Sequence, residues 1–162
     1  MRPSSKQNSG KRSSRIGFRK LTNKDLPVLT ALVRIYEEVF EMKEFAMPPS
    51  SHLQSLLEKD QLIFFVALSD HQVIGGLTAY ILPSVYSESS EVYVYDLAVR
   101  TEYQRTGIGR KLIDELKTYC RLLGSKEIFV QADLEDQHAI DFYRATGGQS
   151  ENVIHFSYVL EK

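Results

Sequence analysis

The chain has 162 residues, 43% hydrophobic and 25% charged, with a net charge of −1, which suits one globular domain with a sizeable core. No apolar run approaches the roughly 20 residues that span a bilayer, and a single cysteine, Cys120, excludes an intramolecular disulfide and suits a reducing, cytoplasmic setting. The histidines His52, His71, His138 and His155 stand far apart and make no zinc spacing with that cysteine, so no metal is expected.

Residues 1–20 carry seven Lys/Arg and no acid, the first acid being Asp25; the other 142 residues hold 13 basic and 21 acidic side chains, a balance of −8. SSKQNSGKRSS has no apolar face, so residues 1–14 read as a disordered basic tail; no nucleic-acid or membrane partner is expected. The acidic body favours a cationic partner by long-range attraction. RIGFRKLT (15–22) alternates and reads as the first strand. DLPVLTALVRIYEEVF follows with Leu29, Leu32, Val33, Tyr36 and Phe40 near helical spacing, Asp25 as N-cap and Pro27 in the first turn. MPPS breaks it, and SHLQSLLEK (51–59) reads as a short helix capped by Ser50 or Ser51.

Three apolar runs come next: LIFFVALS (62–69), VIGGLTAYILP (73–83) and EVYVYDLAV (91–99). Such runs suit central strands covered on both faces. DHQ (70–72) is a tight polar turn, so the first two form a hairpin. Gly75 and Gly76 inside a strand predict a bulge or a close backbone approach. After QRTGIG (104–109), Ile108, Leu112, Ile113, Leu116, Tyr119, Cys120 and Leu123 mark one helical face, and Gly124 ends the helix. KEIFVQAD (126–133) reads as a short strand, QHAIDFYRAT (137–146) as a helix ended by Gly147 and Gly148, and NVIHFSYVL (152–160) as a last strand. The order is β, α, α, β, β, β, α, β, α, β, an α/β (α+β) mixed sheet with helices on its faces in a single domain, 15–162.

The glycine turn lacks the G-x-x-x-x-G-K-[ST] of a Walker loop, and Leu112 occupies the third glycine site of a dinucleotide fingerprint. It also follows the fourth strand, where a dinucleotide fold would use the first. What remains is Q-x-x-G-x-G at a helix N-terminus, where free N–H groups and the positive dipole end gather. Gly107 and Gly109 permit positive φ and remove obstructing side chains, and Arg105 and Arg110 add charge. On these residues alone an anion site and a helix start that merely needs glycine stand level.

DLAVRTEYQRTGIGRKLI resembles the acetyl-CoA-binding motif of the GCN5-related N-acetyltransferase (GNAT) superfamily, [RQ]-x-x-G-x-[GA] after a strand. The resemblance implies that Gln104, Arg105, Thr106, Gly107, Ile108, Gly109 and Arg110 hold the coenzyme A pyrophosphate. It implies a sheet, mostly antiparallel, that splays between its fourth and fifth strands, with Leu97, Ala98 and Val99 pairing their backbone with the pantetheine arm. DQHAIDFYRATGG (136–148) resembles the family's N-x-x-A-x-x-F-Y-x-x-x-G-F motif, bringing Asp136, Ala139 and Tyr143 to the coenzyme; Asp136 stands where Asn is usual and Gly148 where Phe is usual. VIGGLTAYILP, YDLAV, VQAD, FYRATG and VIHF are similar to the type I aminoglycoside 3-N-acetyltransferases, which implies the 3-amino group of an aminoglycoside as acceptor. Homodimers are common in the family.

Acetyl transfer needs a neutral amine, charge stabilisation at the thioester oxygen and a proton for the departing thiolate. Asp96, just before the pantetheine stretch, is the candidate base; at its ordinary pKa of ~3.9 it would act through a water relay. Glu88 and Glu91 flank the same strand and could line the acceptor pocket, while Asp133, Glu135 and Asp136 cluster after the next strand and could hold ammonium groups; Asp136 could equally be a helix cap. Tyr143 is the general acid implied by the family motif. The oxyanion donor is the backbone N–H of Leu97 or Ala98. Tyr93 and Tyr95 alternate on one strand face, where core packing is favoured over stacking on an acceptor ring, and Cys120 packs in the core, so direct attack in a ternary complex is expected. The rival readings are a GNAT acetylating a polyamine, peptide or lysine amine, and a non-catalytic acyl-CoA-binding module.

Overall fold

The computed structural model describes residues 15–160; the expected basic tail lies outside the described residues. The chain falls into two compact units that divide after Phe129.

The first unit holds β1 (Ile16–Lys20), α1 (Leu26–Val39), α2 (Ser50–Leu57), β2 (Leu62–Ser69), β3 (Gln72–Pro83), β4 (Ser90–Val99), a 3₁₀ turn (Thr101–Tyr103), α3 (Ile108–Leu123) and all but the last residue of β5 (Glu127–Val130). The sheet runs β1-β2-β3-β4-β5, antiparallel through β4 and parallel between β4 and β5. This is the mixed, mostly antiparallel sheet expected. Cross-strand register sorts its faces. Phe64, Thr78 and Tyr80 share one side, where Tyr36 of α1 bonds Thr78. Phe65 lies on the other, where its ring meets Tyr119 of α3 edge-on. Helices therefore cover both faces.

The apolar stripe of α1 buries Leu29, Leu32, Ile35 and Tyr36 against the sheet. Its expected N-cap works differently. Asp25 precedes the helix, but its carboxylate reaches backwards, accepting from Thr22 N and Oγ1 at 2.7 and 2.8 Å and from Arg19 Nη2 at 2.7 Å. The guanidinium, first of all, holds that carboxyl well below the usual carboxylate range. Ser50 is already inside α2, Pro49 precedes it, and no side chain caps that end.

The β2–β3 hairpin turns at Asp70 and His71, both left-handed at φ 47° and 69°, the twist that a two-residue hairpin prefers. The glycine pair answers a close approach. A Cβ on Gly76 would lie 2.5 Å from the Phe65 carbonyl oxygen and 2.6 Å from Leu32 Cδ1, so only hydrogen lets α1 settle on the sheet at this point.

In the second unit, α4 (Gln137–Ala145) begins at Asp136, whose Oδ1 accepts from Ala139 N at 2.9 Å, and ends at Gly147 in the left-handed region, φ 92°. The strand expected at 152–160 does not form. Residues 149–160 take no regular secondary structure, and no hydrogen bond among the described residues involves them. Alternation supplies a strand with a face, whereas only a neighbouring edge supplies the partners its N–H and C=O groups require. The strand expected over 126–133 likewise stops at Val130.

Candidate active site

β4 carries one residue too many. Thr78 pairs with Asp96 but Ala79 pairs with Val94, so Tyr95 has no opposite number. Without this bulge Asp96 would share the face of Val92 and Val94, both fully buried. With it, Asp96 lies beside Thr78 and Tyr80 on the α1 side. There it lines a cavity of about 190 Å³ with Tyr36, His52, Thr78, Tyr80 and Tyr95, above an apolar floor that includes Leu53 and Phe64.

Burial pushes the Asp96 carboxyl up to about 6, and no cation or hydrogen bond pulls it back. This corrects the expectation of an ordinary carboxylate: the group titrates close to neutrality, where a base is most effective. Tyr36 Oη and Thr78 Oγ1 lie 2.8 Å apart in the buried wall. Burial drives the Tyr36 phenol well above its ordinary range, against the Thr78 hydrogen bond, with the Asp96 charge adding to the rise.

The tyrosines depart from the expected arrangement. Tyr93 is opposite Tyr80 and stacks on Phe129 at 5.0 Å. Tyr95, at the bulge, is 61% exposed and meets Tyr80 and Tyr93 edge-on at 5.6 and 5.7 Å. Tyr95 is thus no core residue. The cavity combines one carboxylate with aromatic walls, a setting suited to an ammonium group.

The sheet opens beside Asp96. Lys126 N donates to Ser90 O at 2.9 Å, and the Tyr93–Phe129 stack sets β5 level with the early part of β4. β5 ends at Val130 while β4 continues to Val99. The outward backbone groups of Leu97 and Val99 therefore have no strand beside them on that side, whereas Ala98, opposite Gly76, turns its groups to β3 as Arg100 does in donating to Ile74 O; of the two oxyanion donors expected, only Leu97 faces the opening.

The turn into α3 is exposed and rich in donors. No backbone N–H from Arg105 to Arg110 donates to an acceptor among the described residues; the first to do so is that of Lys111, to Gly107 O at 3.0 Å. Gly107 adopts φ 90°, and Arg105 is also left-handed at 58°. Gly109, expected to need positive φ, lies inside α3 instead. Gln104 Nε2 donates to Val99 O at 2.9 Å, tying the turn to the strand end, and Thr106 Oγ1 donates to Tyr103 O. The free N–H groups of Arg105 to Arg110, on the dipole end of a 16-residue helix, form a cradle that fits a pyrophosphate.

Among the expected acids, Glu88 sits on the exposed β3–β4 loop and Glu91 is exposed near the start of β4, opposite Leu82; neither lines the cavity. Asp133 and Asp136 lie in the second unit, both exposed, and Asp136 is engaged as the cap of α4. Ala139 supplies the N–H that Asp136 receives. Tyr143 stands on α4 with its ring edge-on to Phe142 at 5.0 Å. Cys120 is buried on α3, and burial pushes its thiol up to about 11, which leaves it inert at neutral pH. Among the described residues there is no metal-ligating cluster, and no helix is long and apolar enough to cross a membrane. Sequence reasoning missed Tyr36, Thr78, Tyr80 and His52 as site residues. Tyr36 and Thr78 are 42 positions apart, and only pairing register brings them to Asp96.

An open mixed sheet with a donor-lined strand-to-helix turn, and a carboxyl raised by burial beside the opening, matches the acetyltransferase class. The acetyltransferase (GNAT) family matches residues 28–147, and the chain belongs to that family. An aminoglycoside acetyltransferase from an uncultured soil metagenomic sample, in complex with sisomicin, is 46% identical, with a TM-score of 0.88 over 90% of this chain and 97% of that one. A second aminoglycoside acetyltransferase from such a sample is 34% identical, with a TM-score of 0.85 over 91% and 99%. An aminoglycoside N(6′)-acetyltransferase type 1 of Stenotrophomonas maltophilia is 27% identical over 112 residues, 67% of this chain and 73% of that protein. That relative's name gives the 6′ position, not the 3 position that the sequence resemblance implies.

Proposed function

We propose that the protein is an acetyl-CoA-dependent N-acetyltransferase whose acceptor is an amine of an aminoglycoside, with 15–162 working as one acetyltransferase domain. The observation that carries this reading is the unpaired Asp96 carboxyl, raised to about 6, in an aromatic-walled cavity beside the opening of the sheet. The similarity to aminoglycoside acetyltransferases supports the acceptor class.

Acetyl-CoA, as co-substrate, supplies an activated acetyl group on sulfur. The N–H groups of the 105–110 turn bind its pyrophosphate, the exposed edge of β4 receives the pantetheine arm, and the Leu97 N–H donates to the thioester oxygen as charge develops there. Asp96 takes a proton from the acceptor ammonium. The amine nitrogen attacks the acetyl carbon, a C–N bond forms and the C–S bond breaks, Tyr143 donates a proton to the departing sulfur, and the second proton shed by the new amide nitrogen returns through water to the Tyr143 phenolate. An alkyl ammonium has a pKa of ~10.4 and an ordinary aspartic acid ~3.9, so burial of Asp96 narrows that gap from about 6.5 units to about 4. Direct transfer then becomes a better route than the relay expected from sequence. Glu88, Glu91 and Asp133, all exposed, act through attraction of a polycation.

Similarity of YDLAV and VQAD to the 3-N-acetyltransferases supports the 3-amino group as the target; the Stenotrophomonas relative supports the 6′-amino group as a second reading. A turnover screen with acetyl-CoA against gentamicin, sisomicin, polyamines and peptides tests the acceptor class. NMR of the product then reads the acetylated position. Turnover with polyamines or peptides alone overturns the aminoglycoside reading, and coenzyme binding without turnover on any amine overturns the enzyme.

A further inference from the structure

The cavity at Asp96 answers only part of a polycation. Asp96 is its single carboxylate, and no Lys or Arg lines it. Apart from His52 and the Thr78 hydroxyl, the other polar side chains of its lining are three tyrosines. Tyr36 is 7% exposed and spends its hydroxyl on Thr78, and Tyr80 is half-buried. Tyr95 is 61% exposed. It is the residue with no partner across the ladder, and a bulge is where a strand re-aims a side chain.

Two neighbours hold the Tyr95 ring. It meets Tyr80 at 5.6 Å with the planes 68° apart and Tyr93 at 5.7 Å with the planes 80° apart, and Tyr93 is itself stacked on Phe129. A side chain held from two sides yet open to solvent has little rotamer freedom left to lose when a ligand arrives. An aromatic face attracts a cation within about 6 Å of its centroid. We infer that Tyr95 is an acceptor-binding residue, whose exposed ring receives a second ammonium group of the acceptor while the amine to be acetylated lies at Asp96. On the aminoglycoside reading of this site, on which the inference rests, the acceptor carries several ammonium groups. Asp96 takes one of them, and Tyr95 is the exposed electron-rich surface beside it.

The test compares Tyr95→Leu, which keeps apolar bulk without a π face, with Tyr95→Phe, which keeps the face without the hydroxyl. Sisomicin is the acceptor, with acetyl-CoA saturating. An exposed cation–π contact corresponds to about two- to fivefold in affinity. KM for sisomicin should rise by that factor in Tyr95→Leu with a smaller change in kcat, and Tyr95→Phe should stay near the wild type. Calorimetry of sisomicin binding in the presence of CoA reads the same difference without turnover. Fluorinated phenylalanines placed at position 95 grade it: each fluorine draws charge from the ring face, so affinity should fall stepwise at nearly constant shape. Equal affinity in Tyr95→Leu and wild type, a loss in Tyr95→Phe as large as in Tyr95→Leu, or indifference to fluorination each overturns the inference. Where sisomicin is still acetylated, those results remove Tyr95 alone. A wild type that does not bind sisomicin overturns both the inference and the acceptor reading. Should Tyr95→Leu fail to fold, the fluorinated series decides.

Discussion

Asp96→Asn removes the proposed base while keeping its volume. A positioned general base contributes about 10²- to 10⁴-fold, so kcat/KM at pH 7.5 should fall by that factor, equivalent to about 3–5 kcal/mol of barrier. The wild-type pH profile is the more specific readout. With a carboxyl near 6, about nine-tenths of the enzyme holds the base ionised at pH 7 and about one-tenth at pH 5, so kcat/KM should drop roughly ninefold across that interval. An ordinary carboxyl at ~3.9 would lose less than about a tenth of its ionised form over the same range. The assay follows CoA release with saturating acetyl-CoA. A flat wild-type profile from pH 7 to 5, or an Asn variant that keeps the acid limb near 6, refutes the assignment. Stability gives an independent sign. A folded-state pKa raised above the unfolded value means that the wild type loses stability as pH rises from about 4 to about 6. Asn escapes that loss, so the variant should be more resistant to urea above pH 6 and level with the wild type below 4, by about 1 kcal/mol after allowing for partial solvent access.

Tyr143→Phe should cut turnover while leaving acetyl-CoA affinity, measured by calorimetry, nearly intact; unchanged turnover removes Tyr143 from the acid role. Gly76→Ala forces a methyl group into the Phe65 carbonyl and Leu32, so it should cost about 3 kcal/mol in chemical denaturation; a variant within about 0.5 kcal/mol of wild type contradicts the close approach. Tyr36→Phe and Thr78→Val each leave the other hydroxyl buried without its partner, at about 1–3 kcal/mol. The double variant should lose clearly less than the sum of the singles; strict additivity would mean that the two hydroxyls are not coupled.

Features written locally were legible in the sequence. The periodicity of α1 and α3, the hairpin at Asp70–His71 and the glycine turn into α3 each depend on residues close along the chain, and each was found where expected. Features that depend on a partner were not. Asp25 looked like a cap because the residue type fits, but Arg19 and the Thr22 hydroxyl and amide compete for the same carboxylate. Residues 152–160 alternate as a strand does, yet alternation does not say which edge receives them. The basicity of Asp96 depends on burial, and the side of the sheet it occupies depends on an unpaired Tyr95 that no local pattern reveals. The tyrosine–threonine pair in the cavity wall rests on register across β2, β3 and β4.

The extra residue in β4 has a consequence for how this protein can change. Loss of Tyr95 would close the ladder and leave Asp96 opposite Thr78 and Val94 opposite Ala79, so the proposed base would keep its side of the sheet. What the strand would lose is the exposed ring that meets Tyr80 and Tyr93 at the wall of the cavity. Selection for activity can therefore hold a residue that strand pairing alone would trim.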